Sequence, residues 1–225
     1  VLAGGKGYWA KMSTAHTRTI GGGVRNAITV PVSIGWNMIG SLSASIDTSA
    51  AHVSTTPPGL RASNWFKYKP APAAGYDVAT DIVPGYAYWV KSSGAGSLTL
   101  SLTGPPSSAE PADGQDGKGI ADLHSVTITD ARGSAQTLYF GTDREHAIPV
   151  QMYELPPPPP EGVLDARFAN GGMVETLSGD AVRAEFPILL KGAVYPLTIT
   201  WNVQDAGGNY ELADAAGIMV PQRLT

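Results

Sequence analysis

Catalysis and metal binding rest on a few residue types, and this chain is thin in most of them. It has four histidines, His16, His52, His124 and His146. A histidine metal site on a helix needs two ligands one turn apart and a further ligand within reach. None of the four has a His or carboxylate at that spacing on an expected helix, so no transition-metal site is expected. Cysteine is absent, which removes thiolate ligands, disulfides and a thiol nucleophile. Glu175, Asp180 and Glu185 are available carboxylates. A glycosidase needs two of them about 5–10 Å apart across a cleft, and nothing in their spacing pairs them. No Gly-x-Ser-x-Gly elbow, P-loop or dinucleotide fingerprint occurs. Gly4–Gly7 and Gly21–Gly23 open no helix and read as turns. The chain is read as a non-enzyme, with a secreted-hydrolase fragment as the least favoured alternative.

Two constellations remain. Asp113, Asp116 and Asp122 lie in a Gly-rich stretch that resembles the middle of a calcium loop. In EF-hand register the first, third and twelfth positions fall on Ala112, Gly114 and Leu123, so that pattern fails. The three aspartates stay as candidates for an irregular calcium site, against the plainer reading of a solvated turn; no other cofactor is expected. The second constellation is aromatic. Trp65, Tyr68 and Tyr76 stand beside Pro/Ala-rich loop residues and are the candidates for exposed rings that stack on a sugar. Arg61, Lys67 and Lys69 nearby could face an acidic glycan. Trp9, Trp36, Trp89 and Trp201 read as structural aromatics, with Trp36 and Trp89 in a core beside Met38, Ile39 and Val90.

These residues need elements to hold them, and the local pattern is period two. In Ser97–Leu102 the leucines 98, 100 and 102 share one face. In 195–203 the apolar face is Tyr195, Leu197, Ile199, Trp201 and Val203. Such alternation describes strands with one buried face. Residues 125–129 and 136–140 flank Asp130-Ala-Arg-Gly-Ser, which predicts a hairpin with a five-residue loop. Further strands are expected at 8–12, 28–40, 65–69, 86–92, 147–153, 183–191 and 209–213. The best helix signal is Asp47–Val53, about two turns, stopped before Pro57-Pro58.

Composition agrees. The chain has 225 residues, 43% of them hydrophobic and only 15% charged, with 27 glycines and 18 prolines. That is enough apolar material for a core and calls for many turns. A net charge of −4 gives no basic footprint for nucleic acid, and no apolar run is long enough to span a membrane. The expectation is an all-β protein of two consecutive antiparallel β-sandwich-like modules joined by a Pro/Gly/Ser-rich linker. Residues 105–119, free of aromatic and β-branched side chains until the next strand signals, are that linker or a long loop. The run of five prolines after Leu155 reads as a stiff polyproline crossover between two sheets.

One pattern occurs twice. Gly5-Lys-Gly-Tyr-Trp-Ala-Lys11 matches Gly85-Tyr-Ala-Tyr-Trp-Val-Lys91 at an offset of eighty. The expected organisation is therefore residues 1–23 as the last strands of a preceding repeat, 24–104 as one complete module, and 120–225 as a second. Periods beyond twenty residues suggest tandem modules, so the chain is expected to be cut from a longer precursor, with any export signal outside it.

Gly35-Trp-Asn-Met-Ile-Gly40, followed some fifty residues later by Pro84-Gly-Tyr-Ala-Tyr-Trp-Val-Lys91, resembles the GWN-x-IG … PG-x-x-YWV module of large secreted and surface proteins of Bacteroidetes, Chlorobi and Ignavibacteria-type bacteria. In that group the module often precedes a type IX secretion C-terminal sorting domain. Ser125–Asp130, Gln136–Gly141, Asp165–Phe168 and Tyr195–Trp201 are similar to the region that follows it there. The sorting domain itself has no counterpart in this sequence. The resemblance implies a secreted or cell-surface bacterial setting. The expected function is a structural, stalk, spacer or filament-type module, with partners among other domains or copies of the same protein. The alternative is adhesion to polysaccharide through exposed aromatics. An orphan strand around Tyr8 and Trp9 is expected either to complete a sheet in its own chain or to add to another's edge.

Overall fold

The computed structural model describes residues 3–10, 14, 17, 19, 21–69, 73–104, 119–143, 148–177, 184–204, 208–216 and 221–224. The protein is all-β. It divides into two compact units: residues 1–68 with 77–116, and residues 69–76 with 117–225. The expected module at 24–104 thus gives up 69–76 to the second unit. The expected linker, at 105–119, lies almost wholly outside the described residues.

In the first unit β1 (Ala27–Val32), β2 (Gly35–Gly40), β3 (Ile46–Asp47), β4 (Val53–Thr56), β5 (Phe66–Tyr68), β6 (Tyr76–Val78, its first residue counted with the second unit), β7 (Asp81–Ile82), β8 (Ala87–Ser92) and β9 (Gly96–Ser101) follow in order. One sheet runs β1-β9-β4, another β2-β8-β5-β6, and β3 pairs with β7. Alternation places Leu98 and Leu100 inward, as the period-two pattern predicts. They join Val30, Val32, Ile39, Val53, Trp65, Tyr88 and Val90 in one buried cluster. On the other face the Thr29 and Thr99 hydroxyls meet at 2.8 Å.

Two expectations fail here for local reasons. The single strand at 28–40 is two strands in two sheets. Asn37 makes the corner: its Oδ1 accepts from the Ser33 N–H at 3.0 Å and its Nδ2 donates to the Ser33 carbonyl at 2.8 Å. Gly35, at φ +91°, supplies the left-handed step the bend requires. The helix at 47–53 is a single turn between β3 and β4. Asp47 Oδ1 accepts from the Ser49 N–H at 2.9 Å, a side-chain bond that serves a turn as well as a helix start. Val53 then enters the sheet opposite Leu100, where burial of its side chain outweighs helix propagation.

The second unit contains β10 (His124–Thr129), β11 (Ala135–Thr142), β12 (Asp165–Phe168), β13 (Val174–Leu177), β14 (Ile188–Lys191), β15 (Thr198–Asn202), β16 (Tyr210–Leu212) and β17 (Gln222–Leu224). Its main sheet runs β13-β11-β10-β15, with β13 parallel to β11; β12 pairs with β14, and β16 with β17. The predicted hairpin is β10–β11 with its loop at 130–134. Asp130 Oδ1 accepts from the N–H groups of Arg132 and Ser134, each at 2.9 Å, and Gly133 sits at φ +82°. The expected strand at 147–153 is instead a 3-10 turn at Val150–Tyr153 following Pro149. A proline there removes a ladder donor. The strand expected at 183–191 is confined to β14, and Tyr195 lies outside β15 and is 73% exposed, not on its buried face.

The proline run connects the β11 side of the unit to β12. Its carbonyls are bonded from the side: Arg167 Nη2 donates to Pro156 O at 2.9 Å, and the Tyr76 hydroxyl donates to Pro157 O at 2.8 Å. Arg167 also forks onto Asp165, Nε to Oδ2 at 2.9 Å and Nη2 to Oδ1 at 2.6 Å. That pairing satisfies a carboxylate that is only 4% exposed.

Candidate functional site

The opening segment finds its sheet in its own chain. The Gly7 N–H donates to Met38 O at 3.0 Å, and the Gly40 N–H donates to Gly5 O at 2.9 Å. Lys6 and Ile39 face each other between these bonds as an antiparallel bridge. Residues 5–7 thereby add a single antiparallel bridge to the β2-β8-β5-β6 sheet on the edge of β2 away from β8, while described residues 8–10 of the strand expected at 8–12 form none. The seat is shaped for glycine. A Cβ on Gly7 would lie 2.4 Å from Met38 Cγ and 2.6 Å from the Ala87 Cβ. A Cβ on Gly5 would lie 2.3 Å from Val30 Cγ1, at a φ of +80°.

The repeated pattern is also a repeated shape. Gly5 has φ +80° and Gly85 has φ +85°. The Lys6 N–H points at Ala3 O at 3.4 Å, as the Tyr86 N–H points at Val83 O at 3.3 Å. The Tyr8 hydroxyl accepts the Ala3 N–H at 3.0 Å, and the Tyr88 hydroxyl accepts the Val83 N–H at 2.8 Å. Each tyrosine therefore locks the turn five residues before it. β2 is bracketed by two strands of one kind: β8, with Tyr88 opposite Ile39, and the opening segment, with Lys6 opposite Ile39.

Cross-strand partners share a face. Ile39 and Tyr88 point to the core, so Trp36, Met38 and Gly40 lie on the other face with Lys91, Trp89 and Ala87. Phe66, opposite Trp89, joins them. Trp36 packs edge-on against Phe66 at 5.9 Å and against Trp89 at 6.5 Å. Trp9 packs edge-on against Tyr68 at 5.2 Å. Trp9 is 42% exposed; Trp36, Trp89 and Tyr68 are half-buried. This face carries an aromatic cluster in which Phe66 is fully buried and Trp9 is the most accessible ring.

The sugar-stacking candidates need correction. Trp65 is 1% exposed and belongs to the core; Tyr76 is 2% exposed. Only Tyr68 keeps part of its ring accessible. The reverse holds for Trp36 and Trp89: they pack on the face opposite the core. The residues Trp65-Phe-Lys-Tyr68 carry rings at both parities, so both faces of β5 are covered. Tyr76 is buried by residues distant in sequence. Its N–H donates to Gln136 Oε1 at 2.8 Å, and Gln136 Nε2 returns a bond to Tyr76 O at 3.0 Å. Gly75 beside it is forced, since a Cβ would sit 2.1 Å from Ala135 O. Trp201 is half-buried opposite Val126.

Among the remaining candidates, His16, His146, Asp113, Asp116 and Asp180 lie outside the described residues, and Asp122 is exposed. Among the described residues no three His, Asp or Glu side chains converge to hold a metal ion. Glu175 and Glu185 are not brought together: Glu185 is exposed, while Glu175 Oε2 is buried without a hydrogen-bond partner, and burial raises that carboxyl above the usual range. His52 Nδ1 lies 2.9 Å from Ser101 O. His124 is buried and its ring nitrogens are satisfied within the protein. Its Nδ1 accepts the Gln204 N–H at 3.0 Å, so Nε2 carries the proton toward the Tyr210 hydroxyl at 2.8 Å. Burial also raises the Tyr88 hydroxyl above its ordinary range.

No protein-family model matches the chain, nor does any curated protein or any solved structure.

Proposed function

We propose that this chain is a non-catalytic structural and assembly module of a large secreted or cell-surface bacterial protein, built by adding strands to exposed sheet edges. The observation that supports it is the Gly5–Gly7 strand on the edge of β2, carrying the same pattern as the strand on β2's other side. Strand addition needs only main-chain bonds for affinity and leaves side chains to set register. Other modules or copies of the same protein supply the matching strands. The test is the mass and sequence of the polypeptide isolated from its native source. The expected result is a larger chain with further copies of the Trp-Asn … Tyr-Trp module. A native polypeptide no larger than these 225 residues would sink the reading.

A second reading, polysaccharide binding, draws on the Trp9 and Tyr68 rings rather than on Trp65 or Tyr76. It predicts retardation by an insoluble polysaccharide that is lost in Trp9→Ala with the fold intact. Equal mobility of the two proteins on every glycan would remove it.

A further inference from the structure

We infer that the β2 edge is an exchangeable strand-acceptor site, and that its second occupant is the Gly5–Trp9 segment of another copy of this chain. The inference rests on the strand-addition reading and goes further, by naming the donor and the seat.

Three features carry it. The first is how little ties the segment to its seat. Among the described residues two main-chain hydrogen bonds flank one bridge, and beyond it one edge-on contact joins Trp9 to Tyr68 while Tyr8 and Trp9 stay 49% and 42% exposed. The second is that the segment brings its own shape. The Gly5 turn and the Ala3–Tyr8 bond are made within residues 3–8, so they need nothing from β2. A preorganised donor loses little conformational freedom when it docks. The third is the complementarity of the seat. Gly7 lies against Met38 and Ala87, and Gly5 against Val30, so a strand with a side chain at either place is refused. The seat thus selects a Gly-x-Gly segment, and every copy of the chain carries one at Gly5-Lys6-Gly7.

Seventeen residues separate Trp9 from Ala27, with three successive glycines at 21–23 that have nothing within 4 Å of their Cβ positions. A connection of that length holds the chain's own segment at an effective concentration on the order of 1 mM. The closed monomer therefore dominates in dilute solution, and exchange grows as copies are concentrated or held side by side. Donation from one copy to the next is head-to-tail, so it propagates unless it closes on itself.

The chain has no cysteine, which makes a thiol trap clean. Lys6 and Ile39 form a non-hydrogen-bonded antiparallel pair, whose Cα separation of about 4.5 Å suits a disulfide. A Lys6→Cys chain is mixed with an Ile39→Cys chain, incubated and oxidised. The expected product is a 1:1 dimer joined through the two introduced thiols, mapped by peptide mass spectrometry. Its yield rises with concentration and falls when Gly7→Val is added to the donor. The double variant reports the seat itself. If it closes within one chain while the mixed single variants give no such dimer, exchange is overturned and the seat stands. If the double variant does not close, the seat fails, and with it the strand-addition reading. Should Ile39→Cys not fold, a thiol-free pair replaces it: Gly7→Val keeps an open seat, and Gly40→Pro keeps a free donor but lacks the N–H that holds Gly5. Sedimentation of the 1:1 mixture then shows a dimer that neither variant forms alone; a monomeric mixture overturns the inference.

Discussion

Gly85–Trp89 and Gly5–Trp9 share a pattern, a turn and a tyrosine lock, yet Tyr88 is 1% exposed and Tyr8 is 49% exposed. The difference is in their neighbours. β8 has β2 on one side and β5 on the other, and its inward side chains meet β1 and β9 across the core. Among the described residues the opening segment bridges only to β2, and beyond that it has one ring contact, Trp9 on Tyr68 of β5. The same residues therefore supply a core element in one place and a thin edge in the other. A short motif carries its local turn wherever it occurs; its energetic weight comes from what is packed around it.

The largest test of that contrast is to shorten the two tyrosines in turn. Tyr88→Ala empties a buried site and should cost on the order of 3–5 kcal/mol, enough to lower the melting temperature by ten degrees or more. Tyr8→Ala should cost about 1 kcal/mol or less. Equal losses in thermal unfolding would abolish the distinction drawn between the strands.

Next in size is the seat. Gly7→Val overfills the space against Met38 and Ala87 and should cost about 1–3 kcal/mol if the strand stays, or only the docking energy if it leaves. Hydrogen exchange separates the two: the Gly40 amide, bonded to Gly5 O, should exchange faster in the variant while the Val90 amide is unchanged. Unaltered protection at Gly40 would contradict the seat.

Tyr88→Phe removes the bond from the Val83 N–H and should cost about 1 kcal/mol. It also changes the alkaline limb. The folded hydroxyl ionises above its ordinary value of 10.0 because it is buried. The unfolded chain then ionises first, so the stability linked to this group is present below pH 10 and lost as pH rises beyond it. Chemical denaturation between pH 9 and 11 should show a shallower decline in Tyr88→Phe than in the parent; parallel declines would assign the loss elsewhere.

A comparably small effect belongs to Trp9→Ala. It deletes one exposed edge-to-face pair with Tyr68, about 0.5–1.5 kcal/mol, and should change indole fluorescence more than it changes the unfolding midpoint.

What could be read in advance followed the range of the interactions. The β10–β11 hairpin was legible because Asp130, Gly133 and the flanking alternation all sit within some fifteen residues. The all-β class was legible from period two. The corner at Ser33–Gly35 was hidden because both flanks alternate, although Gly35 and Asn37 signalled it. Trp65 and Tyr76 looked superficial beside prolines and alanines. Their burial depends on partners such as Gln136, sixty residues beyond Tyr76, which no local pattern reveals. The repeat pointed to an orphan strand but not to the edge it takes, because the fit of Gly7 to Met38 and Ala87 exists only once β2 and β8 are paired.

Residues 69–76 belong with the second unit, although the chain on both sides of them builds the first. The length of gene that could be duplicated, transferred or lost without damage is therefore not the length that folds as one body. A cut anywhere in 105–118 leaves Gly75 and Tyr76 with the first fragment and strips Gln136 of its partner in the second. Recombination at the stretch that looks most like a boundary would be selected against. The two halves are expected to travel through descent as a pair, inherited together.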